Sequence, residues 1–152
     1  VKTLGIKRTN FNQLEKLDFK DIIEEVNDII GVEIPGHHGP NVSVQAKLIR
    51  FRVSLEIPPL KCVEYIDNST QEIVEYFYDW GDSSGTLMKF HAHYHPKGAP
   101  AIVKKFDPFH LHVKENKYDT EAKKREPDNE FQCLYKVLLF IKRHVYVTQY
   151  NR

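Results

Sequence analysis

The sequence predicts an α+β domain: an antiparallel β-meander packed on one face by an N-terminal and a C-terminal helix. Three observations predict it. Apolar residues recur at every second position through much of residues 42–115, the mark of half-buried strands. Toward both ends of the chain they recur instead at every third or fourth position, as on one side of a helix. The connections between neighbouring strand segments are too short for the crossovers that parallel pairing demands.

The first element is a helical segment over residues 10–31. Within "DFKDIIEEVNDII", Phe19, Ile22, Ile23, Val26, Ile29 and Ile30 are spaced as on a helix face. Asp18 is placed to cap it, Asp21 lies in the first turn where the dipole favours anions, and Gly31 supplies a stop. The preceding "NFNQLEKL" adds a further turn. A Gly/Pro loop with His37 and His38 follows, and both histidines are expected at the surface.

Strand patterning begins at Val42. Val42, Val44, Ala46 and Leu48 share one phase, and Ile49, Phe51, Val53, Leu55 and Ile57 the other, so a bulge is expected near Leu48-Ile49. "LKCVEYI" and the aromatic-rich "QEIVEYFYDW" are the next strands, joined by the turn "DNST". "GDSSG" is a hairpin loop leading into the strand "TLMKFHAHYH". After the loop "PKGAPAIVKKFDP" comes "FHLHVKE", a further strand. "NKYDTEAKKREPDN" is charged and expected to be exposed, its Lys123-Lys124-Arg125 run solvated, though able to touch phosphate. The last element is a helix over 129–145, with Asp128 or Asn129 as cap and Phe131, Leu134, Tyr135, Leu138, Ile141 and Val145 on one face. The terminal "VYVTQY" is β-prone and expected to end or break it.

A single domain over 1–152 suits this length, which buries roughly 68–70% of the unfolded surface without a staple. The net charge of +1 means that any affinity for nucleic acid must come from local clustering. Cys62 and Cys133, with no CxxC, read as reduced thiols of a cytoplasmic protein. No signal peptide or long apolar run appears, so neither secretion nor a membrane span is expected.

Five of the eight histidines lie between positions 91 and 112. Along "TLMKFHAHYH", Lys89, His91, His93 and His95 share one side and Met88, Phe90, Ala92 and Tyr94 the other. Along "FHLHVK", His110, His112 and Lys114 oppose Phe109, Leu111 and Val113. If these strands are neighbours, the imidazoles converge on one outer face, since opposed side chains have Cβ atoms roughly 4.5–5.5 Å apart. Two chemistries suit such a face. Imidazoles can move protons to and from an RNA 2′-hydroxyl and a 5′-oxygen, with His93 and His112 the first choices, then His95, His110 and His91. Lys89, Lys104, Lys105 and Lys114 would then hold the phosphate, and Tyr78 or Tyr94 could stack or donate. Alternatively, neutral imidazoles of His91, His93, His110 and His112 bind a divalent metal such as zinc, with Asp79, Asp82 or Asp107 adding oxygens. A third reading is a non-catalytic interaction module, docking a partner on a sheet edge or its aromatic strand.

"YFYDWGDSSGTLMKFHAHYHPKGAPAIVKKFDPFHLHVKE" resembles the TumE-like toxins of prokaryotic toxin–antitoxin modules. Tyr78, Trp80, His93, His95, Pro96, Phe109, His110 and His112 occupy places comparable to that family's pattern of an aromatic strand, clustered histidines and a second histidine-rich strand. His91-Ala92 stands where members usually carry Asp-Asn. The resemblance implies a toxin acting on RNA and neutralised by an antitoxin protein.

Overall fold

The computed structural model describes residues 2–52 and 57–150, apart from the side chains of 149 and 150. Seven strands form one antiparallel sheet in sequence order, β1 to β7. They are β1 Ile23–Asp28, β2 Val42–Phe51, β3 Leu60–Asp67, β4 Ile73–Asp82, β5 Gly85–Ala92, β6 Phe109–Val113 and β7 Lys124–Pro127. Three helices accompany them: α1 Phe11–Gln13, which continues as a π-turn over Leu14–Asp18, α2 Ala101–Lys104 and α3 Leu134–Tyr150. This is the expected α+β meander, with one helix before the sheet and one after it.

The N-terminal helix is shorter than its pattern predicts. Only residues 11–18 are helical, capped by the Asn10 side chain, which accepts from the Gln13 amide. Ile23–Asp28 pairs with β2 as an edge strand instead. Phe19, Ile22 and Ile23 are buried, whereas Ile30 is 94% exposed, so the apolar residues do not make one helical stripe. The expected bulge also lies elsewhere. β2 and β3 pair without interruption from Val42 to Ile49, and the irregularity sits in β1 between Ile23 and Glu25. The phase change in β2 records a change of buried face. Val42 and Ala46 enter one apolar cluster and Ile49 and Phe51 the other. Val53 and Leu55 lie outside the described residues.

Opposed residues in a sheet project from the same face. The register therefore yields continuous rows. Lys47, Cys62, Tyr78, Phe90, Leu111 and Glu126 form one row on the core face. Here Cys62, Tyr78 and Phe90 meet Leu134, Val137, Leu138, Ile141 and Val145 of α3, and Phe11 and Leu14 from the N-terminal helix. Leu138 is fully buried in this cluster. Leu138→Ala is expected to cost about 2–5 kcal/mol, from lost transfer energy plus the cavity left behind, read as a lower urea midpoint.

α3 starts at Leu134 and runs through "VYVTQY" to Tyr150, so that segment does not break it. Asp128 is buried and accepts from the amides of Glu130, Phe131 and Gln132, organising the turn ahead of the helix rather than its first residue. His144 lies within the helix and packs on Trp80 and Phe140.

The opposite face of the sheet is divided. Over β2 to β4, Val42, Ala46, Val63, Tyr65 and Val74 are covered by Ile29 and Val32 from the connection after β1. That connection is tied down by a hydrogen bond from the Tyr65 hydroxyl to the Glu33 carbonyl and by a 2.7 Å contact between His38 Nε2 and Glu75 Oε1. His38 is therefore buried, not at the surface as expected, while His37 is exposed. Over β5 to β7 the same face carries the histidines.

Candidate functional site: a five-imidazole face

β5 and β6 are neighbours, and their register opposes His91 to His110 and Lys89 to His112. β4 extends both rows on one side and β7 on the other. One row reads Ala46, Val63, Phe77, His91, His110, Pro127, and the next Leu48, Lys61, Asp79, Lys89, His112, Arg125. β5 ends at Ala92, but the His93 amide still bonds the Pro108 carbonyl, so the chain stays alongside the start of β6. This brings His93 and His95 to the end of the same face.

The five rings form one connected group. His112 lies 4.8 Å from His91 and 5.0 Å from His110, centroid to centroid, and His91 lies 5.5 Å from His110. His93 is 5.2 Å from His110 and 4.4 Å from His95. Phe77 closes the group toward β4, its ring 4.9 Å from His91 and 5.4 Å from His93. The cluster is thus on the expected face, with four of its rings half-buried and one sealed. His110 is 1% exposed and its Nδ1 has no hydrogen-bond partner.

Two carboxylates fix two of the rings. Asp79 Oδ1 lies 2.7 Å from His91 Nε2. Asp107 holds His95 twice, with Oδ1 2.6 Å from Nδ1 and Oδ2 accepting the His95 amide at 2.8 Å. If the Nδ1 proton sits in the bond to Asp107, Nε2 of His95 is left with its lone pair. Burial pulls the Asp107 carboxyl upward, but the hydrogen bonds from the His95 amide and ring outweigh it and hold the group below the usual carboxylate range. Burial, reinforced by the neighbouring imidazoles, lowers His93 to about 4, His110 to about 3 and His112 to about 4. These three are therefore neutral at physiological pH, with lone pairs free for a proton or a metal.

The expected cations are spread unevenly. Lys89 stands opposite both His112 and Asp79. Lys114 is displaced toward the β4–β5 hairpin, where it lines a hollow with Asp82, Ser84 and Lys117. Asp82 faces that hairpin and accepts from Ser84, away from the imidazoles. Lys104 and Lys105 are exposed on and after α2, and Lys105 folds over Phe106. Tyr78 belongs to the core and donates to Glu64, whereas Tyr94 is exposed with Lys2 over its ring.

The place of Arg125 beside the imidazoles is what sequence reasoning missed. The run containing it is expected to be solvated, yet it forms β7, and Arg125 is half-buried opposite His112. It donates to the Val103 carbonyl, tying α2 to the edge of the site, and its Nε has no partner. A strand ending in Pro127, with no apolar alternation, leaves no periodic signal to find.

Comparison with known proteins returned no matching family model, curated protein or solved structure. Among the described residues, no helix is long and apolar enough to cross a membrane.

Proposed function

We propose that the histidine face cleaves RNA phosphodiesters, and that the protein is the toxin of a toxin–antitoxin module acting in the cytoplasm. The observation that supports this best is the His95–Asp107 pair at one end of a connected group of imidazoles. A ring whose Nδ1 is held by a carboxylate is oriented to accept a proton at Nε2 and stabilised once it has done so. His95 takes the proton of a 2′-hydroxyl, and the 2′-oxygen attacks the adjacent phosphorus. The bond from phosphorus to the 5′-oxygen breaks, and the His95 imidazolium returns its proton to that oxygen. The products are a 2′,3′-cyclic phosphate and a free 5′-hydroxyl. Arg125, whose charge is felt at His93, supplies positive charge for the non-bridging oxygens. Neutral His93, beside His95, lines the path of the substrate instead of acting as the standing acid.

The resemblance to TumE-like toxins supports the same reading, because the histidines it rests on include His93, His95, His110 and His112, all members of this group. The direct test is incubation of the purified full chain with single-stranded RNA. Fragments ending in 2′,3′-cyclic phosphate are expected, together with growth arrest on expression that an adjacent antitoxin gene relieves. His95→Ala should abolish both effects. RNA left intact by the unaltered chain, with growth unaffected, would overturn the reading.

A further inference from the structure

We propose that His91, His110 and His112 hold a zinc ion, which adds a metal to the same face used in the RNA-cleaving reading. One nitrogen of each ring lies within 4.8 Å of those of the other two. Tetrahedral zinc, with Zn–N near 2.0–2.1 Å, needs nitrogens roughly 3.3 Å apart, so the rings need only tilt inward. The backbone already sets their directions. His91 and His110 are directly opposed across β5 and β6, and His112 is two residues from His110 on the same side of its strand.

Two further observations point to a ligand. The first is His110. A solvated surface ring has water for both nitrogens, but this one is 1% exposed and its Nδ1 lacks a partner. Burying an imidazole nitrogen without a bond is costly, and an ion binding the cluster would offset that cost. The second is Asp79, bonded to His91 Nε2. A carboxylate that receives the remaining N–H of a ligating histidine fixes its tautomer and raises its basicity. Asp79 also stands directly opposite Lys89, the cation beside the cluster. The donor set is all nitrogen, which suits zinc and excludes the oxygen-seeking magnesium and calcium. Three protein ligands leave a fourth position for water, the arrangement of a reactive rather than a purely structural site.

His37, His38 and Glu75 form the other group of close ligand atoms, and they serve as the internal control. There, His38 and Glu75 already satisfy one another.

The experiment is zinc uptake by the full chain after chelator dialysis, measured by titration against a chromophoric competitor with no RNA present. One zinc per chain is expected, and cobalt in its place should give the visible band of a tetrahedral site. His110→Ala and His112→Ala should each abolish uptake, and Asp79→Asn should weaken it by roughly 10–100-fold. His37→Ala should leave it unchanged. The half-buried His112 and Asp79 positions keep the test decisive if His110→Ala does not fold. No uptake by the unaltered chain, uptake that survives in the His91/His110/His112 triple-alanine variant, or loss in His37→Ala would each overturn the site. RNA cleavage without zinc uptake removes the metal and keeps the RNA-cleaving reading. Zinc uptake by a chain that leaves RNA intact does the reverse.

Discussion

Asp107→Asn should lower RNA cleavage by roughly 10²–10⁴-fold, the range that positioned general acid–base catalysis contributes. Asp107 bonds both the ring and the backbone amide of His95. An asparagine can retain only one of these acceptors and can present an NH₂ group to Nδ1, favouring the wrong tautomer. Cleavage rate against pH and the thermal midpoint should be measured together. A merely structural Asp107 would lower the midpoint and leave the rate per folded molecule unchanged, which would sink the assigned role. The sign of the pH effect on stability follows from the depressed Asp107 carboxyl. A carboxyl lowered on folding contributes stability above its unfolded value and loses it as pH falls through the folded one. The Asp107 anchor is thus complete at neutral pH and weakens only in acid.

Glu64→Ala should have the largest effect on stability outside the apolar core, about 3–5 kcal/mol, which corresponds to a melting temperature lower by roughly 10 °C in a domain of this size. Glu64 is fully buried on the core face of β3. Four donors converge on its two oxygens: the Thr9 amide at 2.9 Å, the Thr9 hydroxyl at 2.5 Å, Gln45 Nε2 at 2.7 Å and the Tyr78 hydroxyl at 2.6 Å. Removing the side chain takes the acceptor from all four; Gln45 Nε2 keeps the Thr9 carbonyl, but Tyr78 is buried and stacked on Tyr76 at 4.2 Å with no other acceptor. Thr9→Ala, which keeps the amide donor, should cost only about 1 kcal/mol. Urea unfolding of the three proteins checks both values. A Glu64→Ala midpoint close to that of the unaltered chain would show that the N-terminal segment is held in place by other contacts.

The strands that carry the site were legible because their alternation is strict. Phe90, Ala92 and Leu111 are buried on one side, and His91, His110 and His112 gather on the other. The adjacency of β5 and β6 was left open by the long connection between them, which carries α2, and pairing decides it. β1 was not legible, because Ile22, Ile23, Val26 and Ile29 satisfy helical spacing as well as they satisfy a strand. Pairing with β2, which sequence spacing does not record, decides between the two. β7 was hidden for the same reason, being recruited by the free edge of β6. The depth of His110 could not be read from alternation, since it depends on the three imidazoles of His91, His93 and His112 packed around it. Asp79 and Asp107 read from the sequence as possible ligands, but their pairing with His91 and His95 depends on register and loop path.

The chemistry and the main apolar cluster lie on opposite sides of one sheet, and their only shared material is backbone. Engineering can therefore treat them as separate modules. Fluorophores, affinity handles or stabilising substitutions on the solvent side of α3, at Tyr135 or Leu139, sit across the sheet from every imidazole in the group. Conversely, a library that randomises positions 89, 91 and 112 draws on half-buried side chains outside the main apolar cluster, and leaves the buried His110 in place.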